Sequence, residues 1–114
     1  MILEIPEPTP SLNTHKWKHW SHHAKLRKHW STLVMVAKGD AGIHGIPQLT
    51  RVKVTRCGRR LLDVDNYLGG LKALLDGLKD NGLIRDDDPQ NMILSAHQKL
   101  VKKPELPRTI IEIT

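Results

Sequence analysis

Apolar and polar residues alternate with a period of two near both ends and in the middle of this chain, and recur at helical spacing between those stretches. Residues 1–7 read as a first strand, with Leu3 and Ile5 set against Glu4. Pro6, Pro8 and Pro10 end it, because proline has no N–H to give to a ladder. Residues 15–38 predict a helix preceded by a basic loop, in which Leu26, Trp30, Leu33 and Ala37 fall at i, i+4, i+7 and i+11 and form a stripe that packs on a sheet. After a glycine-rich connection, residues 49–56 alternate Val52 and Val54 with Arg51, Lys53 and Thr55, the pattern of a strand with one wet, basic face. Leu68, Leu71, Leu74, Leu75 and Leu78 then return to helical spacing, which places Asp65, Gly69, Lys72, Asp76 and Asp80 on the opposite, solvent face. Gly69 and Gly70 weaken the start of this helix by roughly 1 kcal/mol each, so its regular part is expected from Leu71. Beyond Pro89, residues 92–102 and 108–114 read as two last strands joined by a proline-containing turn.

The order β-α-β-α-β-β implies a single α+β domain over residues 1–114, with two layers, a mixed sheet and the helices on one face. Strands separated by helices become parallel neighbours through crossovers, and the last two are close enough in sequence for a hairpin. The uncovered sheet face is then expected to receive a second subunit. Cys57 is the single cysteine of the 114 residues, which excludes an internal disulfide and fits a reducing cytoplasm. No apolar run is long enough to span a membrane and no secretory h-region is present.

Charge changes the picture from fold to function. Lys and Arg number 18 against 12 Asp and Glu, a formal charge of +6. Between Glu7 and Asp63 only Asp40 is acidic, against Lys16, Lys18, Lys25, Arg27, Lys28, Lys38, Arg51, Lys53, Arg56, Arg59 and Arg60. Seven of the 12 acids are instead gathered between Arg59 and Asp88. A basic half beside an acidic centre suits a protein that grips a phosphate backbone and cuts it at metal-bound carboxylates. An anionic membrane surface fits less well, because the acidic centre opposes it and the basic residues do not share one amphipathic face.

The acidic centre has its own logic. Like charges held close repel unless a cation sits among them. Asp63 and Asp65 flank Val64, so on an extended segment both point to one side, and Asp86, Asp87 and Asp88 return toward them after one helix. Hard oxygen donors of this kind suit Mg²⁺, with Mn²⁺ as a substitute, better than zinc. Lys72 supplies an ammonium able to stabilise charge on a phosphate or a leaving oxygen. A purely structural account also exists: Asp65 or Asn66 as an N-cap, Lys72 with Asp76 as an i,i+4 pair, and residues 86–88 as a turn before Pro89. It covers each motif singly and the whole constellation less well, since one cap needs one acid and a turn does not need three.

Asp63-Val64-Asp65-Asn66, then Lys72 and Asp76 four apart, then Gly82-Leu83-Ile84-Arg85-Asp86-Asp87, resembles the signature of the RusA family of Holliday junction resolvases of phages and prophages. Pro10-Ser11-Leu12-Asn13 is similar to the proline-rich turn that follows the first strand there. The resemblance implies a homodimeric, Mg²⁺-dependent endodeoxyribonuclease that resolves four-way junctions by paired nicks in DNA recombination and repair. It implies Asp63, Asp65 and Asp87 as metal ligands and Lys72 as the catalytic lysine. Asn13, Lys16, Lys18, Arg56, Arg59 and Arg60 become the expected DNA contacts. One departure stands out: the family's lysine follows the second aspartate by one turn, whereas here the interval containing Gly69 and Gly70 is longer by about three residues, close to a further turn.

Other readings separate on chemistry. His15, His19, His22, His23 and His29 crowd the start of the first helix, but no HExxH pattern or cysteine pair accompanies them as a zinc site requires. Beside Trp17 and Trp20, which can stack on exposed bases, they suit a nucleic-acid face. A calcium loop fails because Tyr67 takes the next alternate position after Asp65. The main competitor is a non-catalytic DNA-binding protein whose aspartates are structural.

Overall fold

The computed structural model describes residues 1–12, 20–39 and 49–114. Strand β1 (Ile2–Ile5) is followed by helix α1 (Trp20–Lys38), strand β2 (Thr50–Gly58), helices α2 (Val64–Gly69) and α3 (Lys72–Asp80), and strands β3 (Met92–Leu100) and β4 (Arg108–Ile113). The class is the α+β one that the pattern predicts. The expected helix across residues 65–80 is divided where the glycines stand: α2 is capped by Gly70, and α3 begins after Leu71.

The sheet is mixed, with strand order β1-β4-β2-β3. β2 and β3 are parallel, in register from Thr50 opposite Met92 to Gly58 opposite Leu100. β4 runs antiparallel to both β1 and β2. The expected hairpin between the last two strands does not form. The chain leaving β3 crosses the end of β2, where the Val101 N–H donates to the Gly58 carbonyl at 2.9 Å. β4 therefore enters on the far side of β2, with Arg108 opposite Cys57. Burial explains the preference: Thr109, Ile111 and Ile113 all face the core, and the slot between β1 and β2 covers that apolar row on both flanks.

Alternation is kept on the inner face, where Leu3, Ile5, Val52, Val54, Met92, Ile111 and Ile113 meet Trp30, Val34, Tyr67, Leu71, Leu74 and Leu78 from the helices. Leu26, Leu33 and Ala37 complete the stripe of α1, with Val34 an unforeseen fully buried member. Arg51, Lys53, Ile93, Ser95, His97 and Lys99 project from the opposite face and are exposed. No helix among the described residues is long and apolar enough to cross a membrane.

α3 departs from the expected two-sided helix. Asp76 and Gly77 are buried along with the leucines, while Leu68 on α2 is exposed. The cause is α1, which lies along α3 so closely that a Cβ at Gly77 would stand 3.1 Å from the Trp30 carbonyl and 3.2 Å from the Ser31 nitrogen. Arg27 donates to both Asp80 oxygens (3.1 and 2.7 Å) and Ser31 donates to one of them (2.7 Å). Asn81 adds amide hydrogen bonds to the carbonyls of Ser31 and Gly77.

Candidate functional site

The segment that delivers Asp63 leaves the end of β2 and is held at both faces. Gln98 on β3 accepts from the Leu62 N–H at 2.8 Å and donates to the Leu62 carbonyl at 2.9 Å. Two opposed hydrogen bonds to the N–H and C=O of one residue fix its position and orientation, which a single bond does not. Tyr67, one turn into α2, is buried and donates its hydroxyl proton to the His97 carbonyl at 2.6 Å, with the Val54 carbonyl 3.3 Å away. Burial pushes this phenol up to about 12, so it stays a donor.

Asp63 occupies the N-cap position of α2, and Asp65 lies in the first turn. The helix thus begins at Val64, and the pair does not share the extended segment that alternation suggests. The Asp63 side chain makes no capping hydrogen bond, and its backbone carbonyl alone accepts from the Tyr67 N–H at 2.9 Å. Both carboxylates are exposed. Capping therefore does not account for Asp63.

Residues 86–88 divide their work. Asp86 accepts from the Asp87 N–H at 2.8 Å and pairs with Lys79 at 3.4 Å. Asp88 accepts from the N–H groups of Gln90 and Asn91 and from the Asn91 amide, an Asx turn that sets the entry to β3. Asp87 instead turns to Lys72, Oδ2 to Nζ at 3.0 Å, and Asp76 approaches the same ammonium at 3.1 Å. The Lys72 ammonium is pushed up mainly by Asp87 and then by Asp76, and the Asp87 carboxyl is held low by Lys72. Lys72 remains two-thirds exposed, so its charge faces solvent although its partners are largely covered. Asp76 was legible only as the i,i+4 partner of Lys72.

The glycine pair has a second purpose. A Cβ on Gly70 would collide with the Pro10 carbonyl, and one on Gly69 would press on Leu12. The proline-rich segment is anchored there from the sheet side as well: Arg56 donates to the Thr9 carbonyl at 2.8 Å, and Thr109 donates to the Glu7 carbonyl at 2.7 Å. A cleft of about 560 Å³ opens between this junction and α1, lined in part by Leu12, His23, Arg27, Lys72 and Asp76.

Among the expected DNA contacts, Arg59 and Arg60 are exposed at the end of β2. Arg56 is half-buried, and its guanidinium is engaged with the carbonyls of Thr9 and Arg60. Asn13, Lys16 and Lys18 lie outside the described residues, as do Trp17, His15 and His19. Trp30 belongs to the core and Trp20 is exposed. His22 and His23 meet edge to face, and His29 lies 2.8 Å from Glu7.

Asp63, Asp65 and Asp87 supply the hard oxygen donors that Mg²⁺ prefers, and none of the three is consumed by a cap or a turn. Among the described residues, no three His, Cys, Asp or Glu side chains form a group able to hold a metal ion. Asp87 is turned to Lys72 rather than grouped with the other two. No protein-family model matches this chain, and comparison with curated proteins returns no match.

Proposed function

We propose that this chain is a Mg²⁺-dependent, structure-specific endodeoxyribonuclease that resolves four-way DNA junctions as a homodimer. The supporting observation is the division of labour among its aspartates. Asp86 and Asp88 serve the backbone turn, while Asp87 holds Lys72 and Asp63 and Asp65 are exposed and uncommitted. A structural role accounts for Asp86 and Asp88, and the Lys72 ion pair for Asp87, which leaves Asp63 and Asp65 unexplained.

In this reading Asp63, Asp65 and Asp87 would hold the ion, which supplies Lewis-acid polarisation of a phosphate and activation of water. Lys72, fully protonated and solvent-facing, meets negative charge as it develops on the phosphate or on the leaving oxygen. Asp76 positions that ammonium from the same helix, one turn on. Arg59 and Arg60 lie between β2 and Asp63, so a backbone drawn to them is delivered beside the carboxylates. A junction has two-fold symmetry, and a symmetric dimer presents one such site to each of two opposed strands.

The test is incubation of labelled four-way junction, linear duplex and single strand with wild type and Asp63→Asn, in Mg²⁺ and in EDTA. Paired nicks in the junction, dependent on Mg²⁺ and lost in the variant while binding persists, are expected. Tight binding with no cleavage in any condition replaces this reading with that of a DNA-binding protein.

A further inference from the structure

Parallel pairing of β2 with β3 sends both strands out at the same end of the sheet, with Gly58 opposite Leu100. The residues that follow each strand run on side by side. The Val101 N–H donates to the Gly58 carbonyl at 2.9 Å, and the Arg59 guanidinium donates to the Val101 carbonyl at 3.4 Å. This sets Arg59, which Arg60 follows in one connection, against Val101, which Lys102 and Lys103 follow in another more than 40 positions away in sequence. All four side chains are exposed, and none has a carboxylate partner among the described residues.

The acids near Lys102 and Lys103 are already paired. Glu105 is paired with Lys99 at 3.5 Å and with Arg108 at 2.8 Å, and Glu4 is paired with Arg108 at 3.2 Å. Arg108, foremost, holds the Glu105 carboxyl below its ordinary range. The four cations therefore face solvent without an ion-pair partner among the described residues. Arg60 is fixed in place relative to Asp63, because residues 61 and 62 alone separate it from that carboxylate and Gln98 holds both the N–H and the C=O of Leu62.

We propose that Arg59, Arg60, Lys102 and Lys103 form one phosphate-binding strip that holds a nucleic-acid backbone alongside the Asp63 and Asp65 end of the domain, with Lys102 and Lys103 as its unassigned half. The occupant is a phosphodiester backbone rather than a lipid surface: Leu61, Leu100 and Leu106 are exposed nearby, but the strip ends beside the Asp63 and Asp65 carboxylates, which repel an anionic membrane. It rests on the nucleic-acid half of the reading above and not on cleavage.

The experiment measures affinity for a labelled four-way junction in EDTA against salt concentration, for wild type, Lys102→Ala/Lys103→Ala and Lys99→Ala. Each lost phosphate contact reduces the log–log slope by about 0.9, so the double variant should be shallower by about 1.8, losing roughly tenfold less affinity than wild type between 50 and 200 mM salt. Lys99→Ala, which removes a cation already paired with Glu105, should change the slope by less. Lys102→Gln/Lys103→Gln repeats the measurement with side-chain length kept, and melting temperatures identify any variant that loses its fold. An unchanged slope in the folded double variants overturns the proposal, as does loss of binding to phosphatidylserine vesicles with junction affinity intact. A protein that binds with the expected slopes but never cuts in Mg²⁺ keeps the strip and removes the endonuclease. One that cuts normally with unchanged slopes does the reverse.

Discussion

Lys72 stands between two carboxylates of different kinds, Asp87 from the turn before β3 and Asp76 from its own helix. If its charge stabilises the transition state, Lys72→Ala slows junction cleavage by about 10² or more while junction affinity changes little, a loss of rate and not of binding. Single-turnover rates and titrations on the same preparation check this, and near-normal turnover removes Lys72 from the chemistry. Asp63→Asn and Asp87→Asn should each abolish cleavage; Asp63→Asn should leave the melting temperature close to wild type because that side chain makes no cap, whereas Asp87→Asn also loses the Lys72 ion pair and should lower it slightly. Asp88→Asn has the opposite expectation: its carboxylate accepts three hydrogen bonds, so the change lowers stability by about 1 kcal/mol without selective loss of activity. Gly70 gives a check on packing alone. Gly70→Ala drives a methyl group into the Pro10 carbonyl and should cost about 1–3 kcal/mol, read as a lower melting temperature.

At the scale of elements, α1 and α3 are held together by apolar contact and by one charged clasp at the end of α3. The Asp80 carboxyl is lowered from its ordinary 3.8 to about 2, first by the Arg27 hydrogen bond and then by Ser31. A folded-state value below the unfolded one gives stabilisation that is complete above about pH 4 and lost as pH falls through about 2. Asp80→Asn should therefore lower the melting temperature at neutral pH, and the two curves should converge as pH drops from about 4 toward 2. The clasp faces solvent, so the difference at neutral pH stays within about 1 kcal/mol. Calorimetry across that range checks it, and a gap that persists at pH 2 assigns the stabilisation to shape rather than charge.

At the scale of the whole molecule, the helices cover one face of the sheet and leave the other open, where exposed Ile2 and Ile93 stand among Arg51, Lys53 and Glu112. Resolution of a junction by paired nicks calls for two sites in one particle. Light scattering under cleavage conditions should return a dimer, and denaturing gels should show nicks placed symmetrically in opposed strands. Monomer alone under those conditions sinks the paired-site mechanism.

Periodicity was enough to determine the elements, because side-chain spacing of two or near 3.6 is imposed by local geometry and survives in the sequence. The strands at Leu3 and Ile5 and at Val52 and Val54, the α1 stripe through Trp30, and the break at Gly69 and Gly70 were all legible that way. Chemistry was legible in part: the sequence picks out Lys72, Asp63, Asp65 and residues 86–88, and the structure brings Asp87 to Lys72 but, among the described residues, does not group it with Asp63 and Asp65. Which aspartate of the three turns to Lys72 was decided by hydrogen bonds to neighbouring N–H groups, which claim Asp86 and Asp88 and leave Asp87. Tertiary packing alone decided that Asp76 and Gly77 are buried, because the second covered side of α3 depends on where α1 lies. It also placed β4 between β1 and β2 and not beside β3, since any strand with one apolar row satisfies its own periodicity and only the available slot selects its partners. The meeting of Arg59 with Val101 has the same origin: two residues far apart in sequence carry no mutual signal until a parallel pair of strands ends at one edge.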